Sequence, residues 1–198
     1  SQNELDALYE SDFEDAVHPY YANQGRVRAM DTVRNSITTH RGCYGDCSFC
    51  SIALHQGTTV VYRSEGSILR EAERIASRPG FNGVIQDVGG PTANMYGIEC
   101  GMKTAKGRCT DRRCLGGRPC PRLPIDHSAQ TRILRKISDI PGVRHVFVNS
   151  GVRYDMLVAD KVHGQEYLDE LVAHHVSGQM KIAPEHISPK VLKLMGKP

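Results

Sequence analysis

No stretch of this 198-residue chain approaches the roughly 20 consecutive apolar residues that a membrane-spanning helix requires. Its first residues, SQNELDALYESDFED, are acidic and polar where a secretory leader is basic and then apolar. The expected location is therefore cytoplasmic, with no membrane partner. Charge of one sign is scarce as well: 25 Lys and Arg against 22 Asp and Glu leave a net charge of +3, too mild to demand a nucleic-acid partner. The nine histidines fall in no HExxH or similar ligand pattern, so none is assigned to a metal on pattern alone. Internal repeats and low-complexity tracts are absent too. What remains, with 39% hydrophobic and 24% charged residues, is one ordinary globular core, or one domain with a large insertion.

Cysteine is what the chain does have. Seven thiols in a reducing compartment, an odd number in two local groups, read as metal ligands or catalytic groups and not as a disulfide framework. Cys43, Cys47 and Cys50 lie within THRGCYGDCSFCSIALHQG, three thiols in eight positions of a Gly-rich loop. Structural zinc takes four ligands, and His40 or His55 could complete such a set. A 4Fe-4S cluster has four irons, so three thiolates leave one iron open to substrate or cofactor.

Around that loop the sequence alternates strand and helix, the pattern of a parallel sheet built from βαβ units. Strands are expected over Thr32–Thr39, GVIQDV, VRHVFVNS and GQMKIA, the last three ending in Gly89-Gly90-Pro91, Gly151-Val152-Arg153 and Pro184-Glu185-His186. Polar or glycine residues after each apolar run belong to the carboxyl edge, where α/β proteins assemble their sites. A helix is expected from Ser64 as N-cap, with Ile68, Ala72 and Ile75 on one face. Two regions break the rhythm: a polar lead-in over residues 1–30 with a helical piece, ELDALYESDFEDAV, and an insertion over about 92–123 with no clear element of its own.

The string Cys43-x3-Cys47-x2-Cys50, with Phe49 before the last cysteine, resembles the signature of the radical S-adenosylmethionine (SAM) superfamily. RGCYGDCSFCSI, DVGGPTANMYG, CPRLPIDH, SGVRYDM and KIAPEHISPKVLKLMGKP together resemble the YgiQ-like radical SAM proteins, from about Thr32 to the end. Members of that family are longer, so this chain resembles an internal segment. The resemblance implies an α/β fold, a partial (β/α) radical SAM barrel with about four of six strands over residues 31–198, and the Cys-rich insertion after the second strand. It implies an enzyme that cleaves SAM reductively to a 5'-deoxyadenosyl radical, with a flavodoxin or ferredoxin as electron donor and an unknown substrate.

On this resemblance Cys43, Cys47 and Cys50 would ligate the cluster and Phe49 would pack near the adenine. Gly89 and Gly90 match the superfamily's Gly-Gly turn at the SAM amino group, with Pro91 replacing the usual acidic residue. Ser150 and Arg153 are placed to meet the SAM ribose or carboxylate, and an Arg fork suits a carboxylate. Lys181, Glu185 and His186 follow as SAM or substrate contacts. Read on the residues alone, Arg153 fits an ion-pair partner equally well, and His186 fits a loop or capping histidine.

The second group, Cys100, Cys109, Cys114 and Cys120, has spacings that match no zinc ribbon or finger, yet four thiols in one insert point to a shared metal, zinc or an auxiliary iron-sulfur cluster. The same insert carries Lys103, Lys106, Arg108, Arg112, Arg113, Arg118 and Arg122 against a single acid, Asp111. That is a solvated basic face or a phosphate-binding patch, RNA included, although no aromatic residues interleave to stack bases. The alternative function is a non-catalytic iron-sulfur or zinc module for electron transfer or for binding nucleic acid or another partner.

Overall fold

Ser1 begins the chain as a helix cap: its hydroxyl accepts the Glu4 N–H at 3.4 Å while the Glu4 carboxylate returns to the Ser1 hydroxyl at 2.8 Å. The helix it starts, α1 (Gln2–Tyr9), is shorter than the expected 4–17 piece because the acidic DFED run beyond it offers no apolar stripe to bury. The computed structural model describes residues 1–21 and 23–197; Ala22, in the lead-in, and Pro198, at the end of the expected core, lie outside the described residues. α1 docks through polar groups. Asp6 accepts the Ser64 N–H at 2.9 Å, and the Arg63 guanidinium lies 4.3 Å from the centre of the Tyr9 ring.

A short helical turn, α2 (Met30–Val33), occupies the start of the expected first strand, which is confined to β1 (Ser36–Thr38). β2 (His40–Arg41) follows, then α3 (Ile52–His55) and β3 (Val61–Tyr62), which pairs antiparallel with β2 and closes the base of the cysteine loop. α4 (Glu65–Ala76) forms as expected, with the Ser64 hydroxyl accepting the Ser67 N–H at 3.2 Å and Ile68, Ala72 and Ile75 buried. Each fully buried Ile side chain contributes roughly 1.5–3 kcal/mol.

The expected second strand is split into β4 (Val84–Ile85) and β5 (Asp87–Gly89), and the halves pair on opposite sides. β5 runs parallel to β1 with Thr38 opposite Gly89, whereas β4 runs parallel to β6 (His145–Val146). Between β5 and β6 stand the insert, with α5 (Gly101–Lys106), and α6 (Ser128–Ser138), whose Ile133, Leu134 and Ile137 join the face covered by α4. α7 (Tyr154–Ala159), α8 (Gly164–Glu170), which runs on into a π-helical turn over Leu171–His175, and α9 (Pro189–Met195) complete the order.

The expected fourth strand is reduced to a single parallel bridge, Val152 to Ile182. Lys181 and Ile182 are exposed, and of this run's large apolar side chains only Met180 packs against the core, too little for a buried strand face. The architecture is α/β with small parallel sheets, and among the described residues these do not close into a barrel.

The insert does have elements of its own, a 3-10 turn over Ala93–Met95 as well as α5, contrary to expectation. Met95, Ile98, Cys100, Cys114, Leu115 and Leu123 pack with Tyr44 and Met156 into a second buried cluster, separate from the core under α4 and α6. The first cysteine loop therefore rests on the insert. No helix among the described residues is long and apolar enough to cross a membrane.

Candidate metal and cofactor site

Gly42 turns the chain out of β2 with φ +85°, where any side chain would run into the backbone carbonyl of Thr59. The Cys43 N–H donates to the Gly57 carbonyl at 3.2 Å, fastening the loop at its mouth. Gly45 then donates its N–H to the Cys43 sulfur at 3.3 Å. A Cβ at Gly45 would stand 2.7 Å from Arg153 Nη1, 3.3 Å from the Cys43 Sγ and 3.4 Å from the Cys47 Sγ, so glycine leaves room for the guanidinium and two sulfurs. Asp46 takes φ +47°, a conformation that Asp tolerates better than most residues. Cys43, Cys47 and Cys50 are half-buried free thiols. Burial pushes the Cys47 thiol up, against the opposing influence of the Arg153 and Lys197 cations beside it.

Arg153 is buried, and its fork is already taken. Nε donates to Asp155 Oδ1 at 2.9 Å and Nη2 to Oδ2 at 2.6 Å, leaving Nη1 to face the Cys47 sulfur at 3.7 Å. The Arg153–Asp155 ion pair is a buried one. The Arg153 backbone is clamped by buried Asn94, whose Oδ1 accepts the Arg153 N–H at 2.8 Å and whose Nδ2 donates to the Arg153 carbonyl at 3.0 Å. The same Nδ2 reaches His127 Nε2 at 3.1 Å, and His127 Nδ1 donates to Asp160 Oδ2 at 2.7 Å. Burial lowers the His127 pKa despite Asp160, so a neutral imidazole closes a chain of hydrogen bonds from Asp160 to Arg153 and Cys47. Sequence reading did not single out Asn94, His127, Asp155 or Asp160. The first three nevertheless sit inside the strings TANMYG, LPIDH and SGVRYDM.

At the carboxyl edge of β1 and β5 lies a cavity of about 200 Å³ lined by Thr38, Arg41, Asp87, Gly89, Gly90, Pro91 and Ser150, among others. Three of the expected cofactor contacts, Gly89, Gly90 and Ser150, are thus brought together. Asp87, unnoticed in the sequence, organises the edge: its carboxylate accepts the N–H groups of Asn149 at 2.8 Å and Ser150 at 3.0 Å, and the Ser150 hydroxyl as well. A Cβ at Gly89 would press on the Ser150 hydroxyl at 2.8 Å, and one at Gly90 would meet the His40 ring between 2.6 and 2.9 Å. His40 is buried, with Nδ1 on the Thr39 hydroxyl at 2.8 Å and Nε2 unpartnered among the described residues. Burial drives its pKa down to about 4, opposed only in part by the Thr92 backbone, so it is neutral near pH 7.

The other expected contacts are not gathered there. Phe49 is 53% exposed and does not line that cavity. Lys181 and His186 are exposed; His186 Nδ1 accepts the Ser188 N–H at 2.9 Å. Glu185, at φ +67°, pairs with Lys197 at 3.3 Å. His55 is exposed at the end of α3.

The four cysteines of the insert, spread over 21 residues in the chain, line one cavity of about 340 Å³ together with Met102, Asp111, Arg112 and Arg122. Burial raises the Cys114 thiol; for Cys120 burial is outweighed by the Arg122 backbone and the Arg112 guanidinium, which hold it below the ordinary value. Among the described residues no three Cys, His, Asp or Glu side chains converge to hold a single metal ion. The insert touches the first loop repeatedly. The Tyr44 hydroxyl accepts the Cys100 N–H and donates to the Ile98 carbonyl, both at 3.1 Å, Thr92 Oγ1 lies 3.4 Å from the Cys43 Sγ, and Arg108 pairs with Asp46 at 2.9 Å.

No family model matches the chain. A UPF0313 protein of Fusobacterium nucleatum is 52% identical over 197 residues, which is all of this chain and 35% of that protein. UPF0313 proteins of Methanosarcina mazei and Clostridium botulinum are 48% and 46% identical over 198 residues, covering 31% and 30% of their lengths. Over its whole extent, then, the chain is similar to UPF0313 proteins, and it spans about a third of the length of these relatives.

Proposed function

We propose that this chain is the cluster- and SAM-binding part of a radical SAM enzyme. The observation that carries the reading is the loop at Cys43, Cys47 and Cys50: three free thiols, a backbone N–H on one sulfur, and a glycine that keeps the space between two of them clear. Three thiolates suit a 4Fe-4S cluster with one open iron, and a cluster holds its ligands apart by its own bulk, so the sulfurs need not meet at one point. When bound, such a cluster supplies the electron that opens SAM.

The protein's own contribution is placement and charge. Arg153 and Lys197 offset the negative charge of thiolates at Cys47, and the chain from Asp160 through His127 and Asn94 holds Arg153 in place. Gly89, Gly90 and Ser150 offer a small polar edge where the SAM amino acid end would be held, and the carboxylate that Pro91 lacks is available from Asp87. The second cysteine group is the natural holder of a further metal. A single zinc at about 2.3 Å from each sulfur would require these side chains to converge, whereas an auxiliary cluster fills a wider cavity.

Iron, sulfide and zinc analysis with electron paramagnetic resonance, after anaerobic reconstitution and dithionite reduction, tests the reading. A reduced-cluster signal that changes on adding SAM, and is lost in Cys43→Ala, supports it. A cluster signal indifferent to SAM would move the protein to a non-catalytic electron-transfer module.

A further inference from the structure

Between residues 112–121 of the insert and α9 lies a cleft of about 750 Å³, within the range of small-molecule sites. Its lining includes Arg112, Arg113, Arg118, Lys193 and Lys197, with Leu192 and three prolines, and among the described residues contains no carboxylate. Several cations elsewhere on the surface are paired, Arg70 with Glu10, Arg78 with Asp15, Arg132 and Lys136 with Glu65, Arg135 with Glu166 and Glu170, while those unpaired among the described residues, such as Arg28, Arg34 and Lys161, do not line this cleft. Among the described residues Arg112, Arg113, Arg118 and Lys193 form no ion pair, and only Lys197 has one, with Glu185. Like charges gathered on a concave surface raise one another's energy and focus a positive potential into the cleft.

Two of these arginines face the cysteine regions. Arg112 Nη1 stands 3.6 Å from the Cys120 Sγ, and Arg113 Nη2 donates to the Ser48 hydroxyl at 3.0 Å, between Cys47 and Cys50. A ligand in the cleft would lie beside both. Guanidinium forks match phosphate oxygens in pairs, and several cations suit a group carrying more than one negative charge. Among the described residues no aromatic side chain lines the cleft to stack a base, which favours a small phosphorylated molecule over single-stranded RNA.

We propose that this cleft binds a small molecule through a phosphate or diphosphate group. Binding of the anion stands apart from the radical reading; only its use as the substrate of that reaction rests on it. The test is calorimetric titration of the 198-residue chain with inorganic pyrophosphate, comparing Arg118→Gln/Lys193→Gln with a control, Arg132→Gln/Arg135→Gln, whose cations already have carboxylate partners. Saturable one-to-one binding is expected, weakened about tenfold or more in the cleft variant and unchanged in the control. All four substituted side chains are exposed, and equal thermal unfolding of both variants without ligand shows that the fold is intact. Absence of saturable binding, or equal weakening in both variants, would overturn the proposal. So would a single-stranded RNA oligomer that binds more tightly than pyrophosphate and displaces it.

Discussion

The two cysteine groups reach their arrangement by opposite routes. Cys43, Cys47 and Cys50 are close in sequence and share one loop, so their nearness costs little chain entropy and is set by backbone devices: the positive φ of Gly42 and Asp46 and the N–H of Gly45. Cys100, Cys109, Cys114 and Cys120 line one cavity, and all but Cys109 pack in or against a buried cluster that includes Tyr44 from the other loop. The difference teaches that the insert is a support for the first loop as well as a site in its own right. Tyr44, Thr92 and Asp46 are the points where one leans on the other.

The largest expected effect separates the two groups outright. In Cys43→Ala, iron at the first loop and its response to SAM should vanish, while in Cys100→Ala the SAM response should survive and only the second metal should be lost; metal analysis with paramagnetic resonance distinguishes them. Equal loss in both variants would merge the two groups into one site.

Acid should act on the first loop's side, because among the described residues no histidine lines the cavity of the insert cysteines. His40 titrates near 6.5 when unfolded and at about 4 when folded, so the unfolded chain binds the extra proton between those values. Stability is therefore full above about pH 6.5 and declines as the pH falls towards 4, by about 3 kcal/mol from this residue, and His127 adds in the same direction. Denaturant unfolding from pH 7.5 to 4.5 should show the decline, and His40→Gln should flatten it. An equally steep decline in that variant would remove His40 from the account.

A smaller effect probes the tie between the regions. Tyr44→Phe leaves the buried Cys100 N–H without its acceptor and should cost about 1–3 kcal/mol by chemical denaturation, with faster hydrogen exchange in both the loop and the insert. Exchange that changes on one side only would mean that the two regions open independently. The smallest effect is expected for Arg108→Gln. Its ion pair with Asp46 joins the two groups, but Arg108 is 63% exposed, so the loss should be under about 1 kcal/mol and should shrink further in high salt.

Much of this was readable before any coordinates. α4 follows from a cap and an apolar stripe within one short window, and the parallel pairing of the first three strand regions follows from their alternation with helices. The fourth strand was misjudged because an apolar run says nothing about whether a neighbour exists to cover it. Ile182 is 48% exposed and makes only one bridge. The insert's elements were missed because α5 is only six residues long and depends on tertiary packing, not on a periodic stripe. The polar chain behind Arg153 was missed for a related reason, since its members lie on three separate segments.

By itself, the sequence determined the donors of the first loop: three thiols in eight positions, with glycine between two of them, cannot avoid sharing a small volume. It likewise determined the capped helix α4 and the glycines at the end of β5 and just beyond. The tertiary structure alone decided which polar and charged groups are satisfied: it set Asn94 and His127 behind Arg153, buried His40 as a neutral ring, gathered the four cysteines of the insert and left Arg112, Arg113, Arg118 and Lys193 facing one cleft. The physical reason is that burial and ion pairing depend on groups far apart in the chain, whose meeting is fixed only when the whole core packs.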